Sequence, residues 1–177
     1  MTVSVDVVNA MYGHSQWTNN QLLGAAEKLS NEELNRPVPG ASGSILEILV
    51  HMMGAQMAWT RRFKQLDPVQ PPDTVNYPGI PELRKAWEVI DATTNAYIDT
   101  VTDVDLAEVI KFRSWFGWEG ESPRWQAILH QAFHQHQHRG EVAAALTALG
   151  HSPGELDIFD YLEGEAYASR PQAPPAS

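Results

Sequence analysis

Four of the chain's seven histidines fall within nine consecutive residues, HQAFHQHQH, at positions 130–138. On a helix, His130, His134 and His138 are spaced by four and form one stripe. His136 lies on roughly the opposite face, about 200° from His134 at ~100° per residue. Two imidazoles one turn apart can chelate a single ion, because both project from the same face. His130 and His138 are too far apart along the axis to share one without distortion, so the helix offers either His130 with His134 or His134 with His138. A third ligand must come from another element. His51, embedded in ILVHMMGAQM, is the natural candidate, since a lone imidazole in an apolar run needs a partner. Zinc, nickel, iron and cobalt all accept neutral imidazole, and three protein ligands leave a position open for water or substrate, the pattern of a catalytic site. The competing reading is that HxxxH arises by chance on a polar helix face and that His51 is a hydrogen-bonded core residue. His14, His136 and His151 are assigned to structure or solvent.

Periodicity supplies the elements that must position these side chains. Apolar residues Val7, Val8, Met11, Tyr12, Leu22, Leu23 and Ala26 recur at helical spacing over about residues 5–28. Ser30 opens a short SNEEL turn, and Pro37, Pro39 and Gly40 break the pattern. Ser44 stands three residues before Glu47, the spacing of a reciprocal cap, ahead of a second helix that runs to Phe63 with Arg61 and Arg62 near its negative end. Five prolines, at 68, 71, 72, 78 and 81, mark an extended crossover between Asp67 and Pro81. Pro81 then suits the first turn of a third helix reaching about Val101. Residues 103–121, with EVIKFRSWFGWEG, read as a small hairpin or an irregular loop. Ser122 followed by Pro123 predicts the capped start of a fourth helix, Arg124 to Leu149, and Gly150 its stop. DIFDYL reads as a final turn or short helix, and the tail over 166–177, ending RPQAPPAS, is expected to be disordered. The reading is therefore all-α: one four-helix bundle domain over 1–165, in which a long crossover allows the first two helices to run parallel.

Composition removes several functions. The chain carries 12 basic and 22 acidic residues, a formal charge of −10, which a nucleic acid or an anionic membrane would repel. No cysteine is present, so disulfides, thiolate ligands and a cysteine nucleophile of this chain are excluded, and any thiol must arrive with a co-substrate. The start MTVSVDVVNA lacks the pattern of a signal peptide, and Glu47 and His51 interrupt the best apolar run, so a cytoplasmic location is expected. Met52, Met53, Trp59 and Trp125 could line an apolar pocket, although at helical spacing such residues are more often core.

Three passages together carry a family resemblance. HQHQHRGEVAAALTALGHSPGELDIFDYL (134–162) resembles the signature of the DinB/YfiT-like family of metal-dependent proteins, with its HxxxHRG core and leucine-glycine stop. LEILVHMMGAQMAW (46–59) is similar to the family's second-helix histidine segment, and YGHSQWTNNQLL (12–23) to its first-helix motif. LSNEEL (29–34) and PRWQAILH (123–130) also fit, so that the likeness spans roughly residues 8–162 in order. It implies a four-helix bundle of up-up-down-down topology, often a homodimer. Carried over residue by residue, it implies a divalent metal (zinc or nickel first, iron or cobalt as alternatives) on His51, His134 and His138, with His130 outside the ligand set. The family usually has glutamine after HRG, whereas this chain has Glu141, which could orient an imidazole, act as a general base, or simply lie at a surface or dimer rim. Arg139 is expected to pair structurally with that or another carboxylate.

Two function classes follow from the resemblance. One is a metal-dependent enzyme on small molecules, either joining a low-molecular-weight thiol to an electrophile or hydrolysing with water. The other is a non-catalytic metal- or small-ligand-binding bundle. A retained exchangeable water that a thiol displaces would mark the first, and a closed or absent site the second.

Overall fold

The computed structural model describes residues 3–164, so the expected tail lies outside the described residues. In chain order the elements are α1 (Val5–Ala26), α2 (Asn31–Asn35), α3 (Ile45–Phe63), a 3-10 turn (Thr74–Asn76), α4 (Ile80–Ile98), α5 (Asp103–Ala107), β1 (Val109–Arg113), β2 (Glu119–Pro123), α6 (Arg124–Ala148) and α7 (Ile158–Glu163). The fold is mostly helical, with the long helices α1, α3, α4 and α6 packed around one another. Local chemistry accounts for most boundaries. Ser44 caps α3 while Glu47 returns a carboxylate oxygen to the Ser44 N–H at 2.7 Å, and the SNEEL turn is α2, capped in the same way by Ser30 and Glu33. Pro81 sits in the first turn of α4. Gly150 adopts φ 82° after α6, and the N–H groups of Gly150 and His151 return to Thr147 and Leu146. The start of α6 differs from expectation. Ser122 is paired with Ile110 in the hairpin, so Pro123 ends a strand and stands at the cap position without a side-chain cap.

Side-chain bonds give the helix directions. Trp87 Nε1 donates to Gln56 at 2.8 Å, Thr94 and Thr60 share a 2.8 Å bond, and the Tyr97 hydroxyl donates to the Phe63 carbonyl, so residue numbers on α3 and α4 rise together. Against α1 they oppose: Asn95 bonds Gln16, whereas Arg84 bonds Asn20 and Glu27. α6 opposes α3, with Gln135 bonded to Met52 and His130 beside Trp59. The long helices thus run up-down-down-up, which corrects the expected up-up-down-down order. The physical reason is the length and shape of the connections. A 19-residue helix is about 28 Å long, and only the extended, proline-rich crossover 64–79 travels that distance, so the pair it joins, α3 and α4, is the parallel one. Between α1 and α3 the chain is instead taken up by α2 and by a turn closed through the Pro37–Ser44 bridge.

Two apolar clusters fill the bundle. One joins Leu22, Ile45, Leu49, Leu83 and Leu146, and the other joins Val8, Trp59, Phe63, Ile98 and Ile128. A buried polar layer separates them, in which Gln56 receives Trp87 and donates to Asp91 at 2.7 Å. Such satisfied networks favour one helix pairing over its neighbours in register. The crossover is held tightly on α3 at Gly54, where a β-carbon would lie 2.6 Å from Cδ of Pro72. Among the described residues no helix is long and apolar enough to cross a membrane.

Two outcomes follow. Gly54→Ala gains about 1 kcal/mol of helix propensity but forces the crossover away at an overpacking cost of ~1–3 kcal/mol, so urea denaturation should show a net loss of stability. A net gain would show that the strap is loosely held. Asp91 has its pKa raised by burial, which bonds from Gln56 and Gln16 only partly offset. A carboxyl raised in the folded state stabilises at acid pH, and that contribution is lost as pH rises through the folded pKa. Asp91→Asn keeps the acceptor for Gln56, so its melting temperature should gain on wild type between acid and neutral pH; a difference that does not vary with pH would refute the assignment.

Candidate metal centre

α3 and α6 present the histidines from facing turns. Gln135, buried on α6, donates to the Met52 carbonyl on α3 at 2.6 Å, which sets its neighbour His134 opposite His51. His138 follows one turn later on the same face of α6. One ring nitrogen from each of His51, His134 and His138 lies within 4.8 Å of the others, and the Nε2 atoms of His51 and His134 are 3.3 Å apart. Two nitrogens bound at 2.0–2.1 Å to one tetrahedral ion lie about 3.3–3.4 Å apart, so that pair already has the spacing of shared ligation.

The electrostatics point the same way. Burial lowers the pKa of His134 to about 4, with the neighbouring imidazoles of His138, His51 and His130 adding to the effect. Burial also lowers that of His51, again reinforced by His138, while Glu141 acts weakly in the opposite sense. At neutral pH both rings are uncharged and keep a lone pair to donate. The donor set therefore fits a divalent transition ion such as zinc, nickel, iron or cobalt.

Glu141 lies behind one of these rings. Its Oε2 is 3.2 Å from Nδ1 of His138 and accepts the Ser42 hydroxyl at 2.8 Å and, more weakly, the Ser42 N–H at 3.4 Å. Burial would raise the Glu141 pKa, but the bonds from Ser42 and His138 outweigh it and leave a net lowering. A carboxylate there favours the His138 tautomer with its proton on Nδ1, which leaves the lone pair on Nε2. Oε2 thus faces His138 and the two Ser42 donors at once, which ties the His138 ring to the turn before α3. His134 lacks such a partner: its Nδ1 is buried without a hydrogen bond among the described residues.

The remaining histidines separate cleanly. His14 is buried and bonded to the Leu156 carbonyl at 2.9 Å, so it docks the segment leading to α7. His136 is exposed, and the His151 N–H helps to close α6. His130 lies outside the triad, its ring 6.1 Å from that of His134 and 5.0 Å from Trp59. It lines an open cleft of about 1120 Å³ together with His51, His134, Trp59, Phe112 and Trp118. Met52 and Met53 are core, not pocket, and Trp125 packs against the second cluster, so of the proposed apolar lining only Trp59 reaches the cleft. Arg139 is buried, which lowers its pKa to about 10, and it makes no ion pair with Glu141, whose carboxylate is taken by His138 and Ser42.

Sequence reasoning missed Ser42, and it offered the hairpin over 103–121 without giving it a part in the cleft. Ser42 lies in a turn 99 residues from Glu141, and no local pattern links them. The hairpin has a clearer signal, since Ile110 and Phe112 alternate toward the bundle and Gly120 opposite Phe112 leaves space for its ring.

A family model described as the DinB family matches residues 1–173. The crystal structure of a DinB-like protein from Bacillus cereus ATCC 10987 superposes with a TM-score of 0.67 at 14% identity, covering 88% of this chain and 99% of that one. No curated protein matches the sequence.

The Glu141 geometry makes a sharp prediction. Glu141→Ala should weaken zinc affinity about 10–100-fold in a chelator-competition assay, whereas Glu141→Gln, which keeps an oxygen acceptor, should stay close to wild type. Equal affinity in all three proteins would remove Glu141 from the site.

Proposed function

The chain belongs to the DinB family, and from that premise we propose that it is a divalent-metal-dependent protein acting on small molecules, with His51, His134 and His138 as the ligands. The observation that carries the reading is the convergence of three imidazoles from two helices, with two Nε2 atoms 3.3 Å apart. Bringing three imidazoles to one point has little value to a folded chain unless something accepts their lone pairs.

An ion held by three histidines keeps a coordination position for a further ligand and lowers the pKa of a thiol or water placed there. The rest of the work falls to the chain. Ser42 and Glu141 fix the orientation of His138. Gln135 holds the register between the two helices. Trp59 and the hairpin aromatics wall the adjoining cleft and give it an apolar side. The chain has no cysteine, so in a thiol-dependent transfer the nucleophile enters as a co-substrate. We favour thiol-dependent transfer or hydrolysis on this basis.

The first test is elemental analysis of untagged protein that has never met a nickel column, beside His51→Ala/His134→Ala. Near one metal per chain, lost in the double variant, is the expected result. Wild-type protein that carries no metal and takes up no added zinc would sink the proposal and leave a ligand-binding bundle. With cobalt in the site, a small thiol should perturb the visible absorption; an unchanged spectrum would argue for a closed site.

A further inference from the structure

The cleft beside the triad has a second chemical feature, at its far end from the histidine pair. Arg62 lies eleven residues beyond His51 on α3, within about 20° of three full turns, so the two project from the same face of that helix. The guanidinium folds back toward His51: its Cζ stands 4.5 Å over the ring of Trp59, three residues earlier in the chain, and 4.9 Å from that of Trp118 in the hairpin. Neighbouring rings make a continuous floor from the triad to this clamp, His134 to His130 at 6.1 Å and His130 to Trp59 at 5.0 Å.

Arg62 is the one cation lining this cleft among the described residues, and it makes no ion pair there. The acidic residues that share the lining are engaged elsewhere: Glu47 caps the Ser44 N–H, and Asp73 caps the Val75 N–H at 3.0 Å. Burial lowers the Arg62 pKa, a sign that its charge is partly stripped of water without a counter-charge to replace it. Stacking on two indoles and the nearby helix end both favour the guanidinium, yet neither cancels its charge, so in a chain of net charge −10 it stays open to an anion. It is a good choice for recognition, because the planar fork is pre-oriented for a carboxylate and loses little freedom on binding it. The walls beside it are aromatic and solvent-facing: Trp115 is 51% exposed and Phe116 80% exposed. Exposed rings of that size around one cleft mark a binding surface for an apolar body.

We infer that Arg62, clamped between Trp59 and Trp118, anchors the carboxylate of a small aromatic acid whose ring lies against the hairpin aromatics and whose other end faces the histidines. The inference rests on this cleft being the substrate site of the proposed function, and it names the substrate class. The rise between the α-carbons of His51 and Arg62 is about 16 Å, and the folded-back guanidinium shortens the gap to the order of 10 Å, enough for a one- or two-ring acid.

The experiment compares 2-naphthoate with its neutral amide, 2-naphthamide, by quenching of tryptophan fluorescence in the zinc-loaded protein. Wild type should bind the acid at least tenfold more tightly than the amide. Arg62→Gln should lose that preference with zinc content unchanged, and Arg62→Lys should keep part of it. The same titration on His51→Ala/His134→Ala separates this proposal from the metal reading, since an Arg62 anchor survives loss of the ion. Equal binding of acid and amide by wild type would overturn it without any variant. Acid binding that persists in Arg62→Gln but vanishes in the double-histidine variant would also overturn it, by placing the carboxylate on the ion. A wild-type protein that excludes both probes because the hairpin aromatics are covered in a dimer would overturn it as well, and sedimentation would show that dimer.

Discussion

The site depends on one constraint, the antiparallel register of α3 against α6. His51 sits in the second turn of one helix and the HxxxH pair straddles the middle of the other, so only one axial alignment brings the three rings together. A slip of one turn would move a ring by about 5.4 Å, more than the 4.8 Å within which the three ligand atoms lie. The bond from Gln135 to the Met52 carbonyl is the contact that fixes this alignment, because each partner is the chain neighbour of a triad histidine. It is buried, and breaking it would strand an amide that has already one unpaired oxygen. The apolar clusters hold the helices together, but interchangeable leucines and alanines do not choose a register, and directional polar bonds do.

The same division explains what could be read from the sequence. Local signals were legible: the caps at Ser30 and Ser44, the proline at the head of α4 and the glycine after α6 each act within a few residues, and each is where local chemistry places it. The histidine stripe was legible for the same reason, and the choice between His130/His134 and His134/His138 was not, because it depends on what stands opposite. Ser122 misled because an N-cap and a strand residue before proline look alike until the partner strand is known. Helix order failed at a longer range still. Periodicity finds helices but carries no direction, and the decisive fact is which connection travels the length of a helix rather than turning back on itself.

Glu141 shows how one substitution can be absorbed without changing a site's logic. Glutamine and glutamate both offer an oxygen to the His138 N–H, but the carboxylate also takes the Ser42 hydroxyl and N–H, binding the turn before α3 to α6. The carboxylate and the capped start of α3 therefore lie in one network: Ser42 to Glu141, and two residues on, Ser44 to Glu47. His138 is oriented from outside the bundle, and His51 is carried by a helix whose first turn is held by that same segment.

The hairpin has a different relation to the metal centre. None of its residues belongs to the triad, and Ile110 and Phe112 seat it on the second cluster. Beyond those two, the hairpin also carries Trp115, Phe116 and Trp118 on a chain with six tryptophans in all. Two of these rings are tied inward, Phe112 edge-on to Trp59 at 5.4 Å and to Trp118 at 5.8 Å, while Trp115 and Phe116 are left to solvent. That arrangement spends apolar surface where the core gains nothing from it, and it places the surface in the cleft that His51, His130 and His134 line. The histidine triad is thus set by the two facing helices, and the cleft beside it is walled by an element that lies between α4 and α6 and packs onto α3.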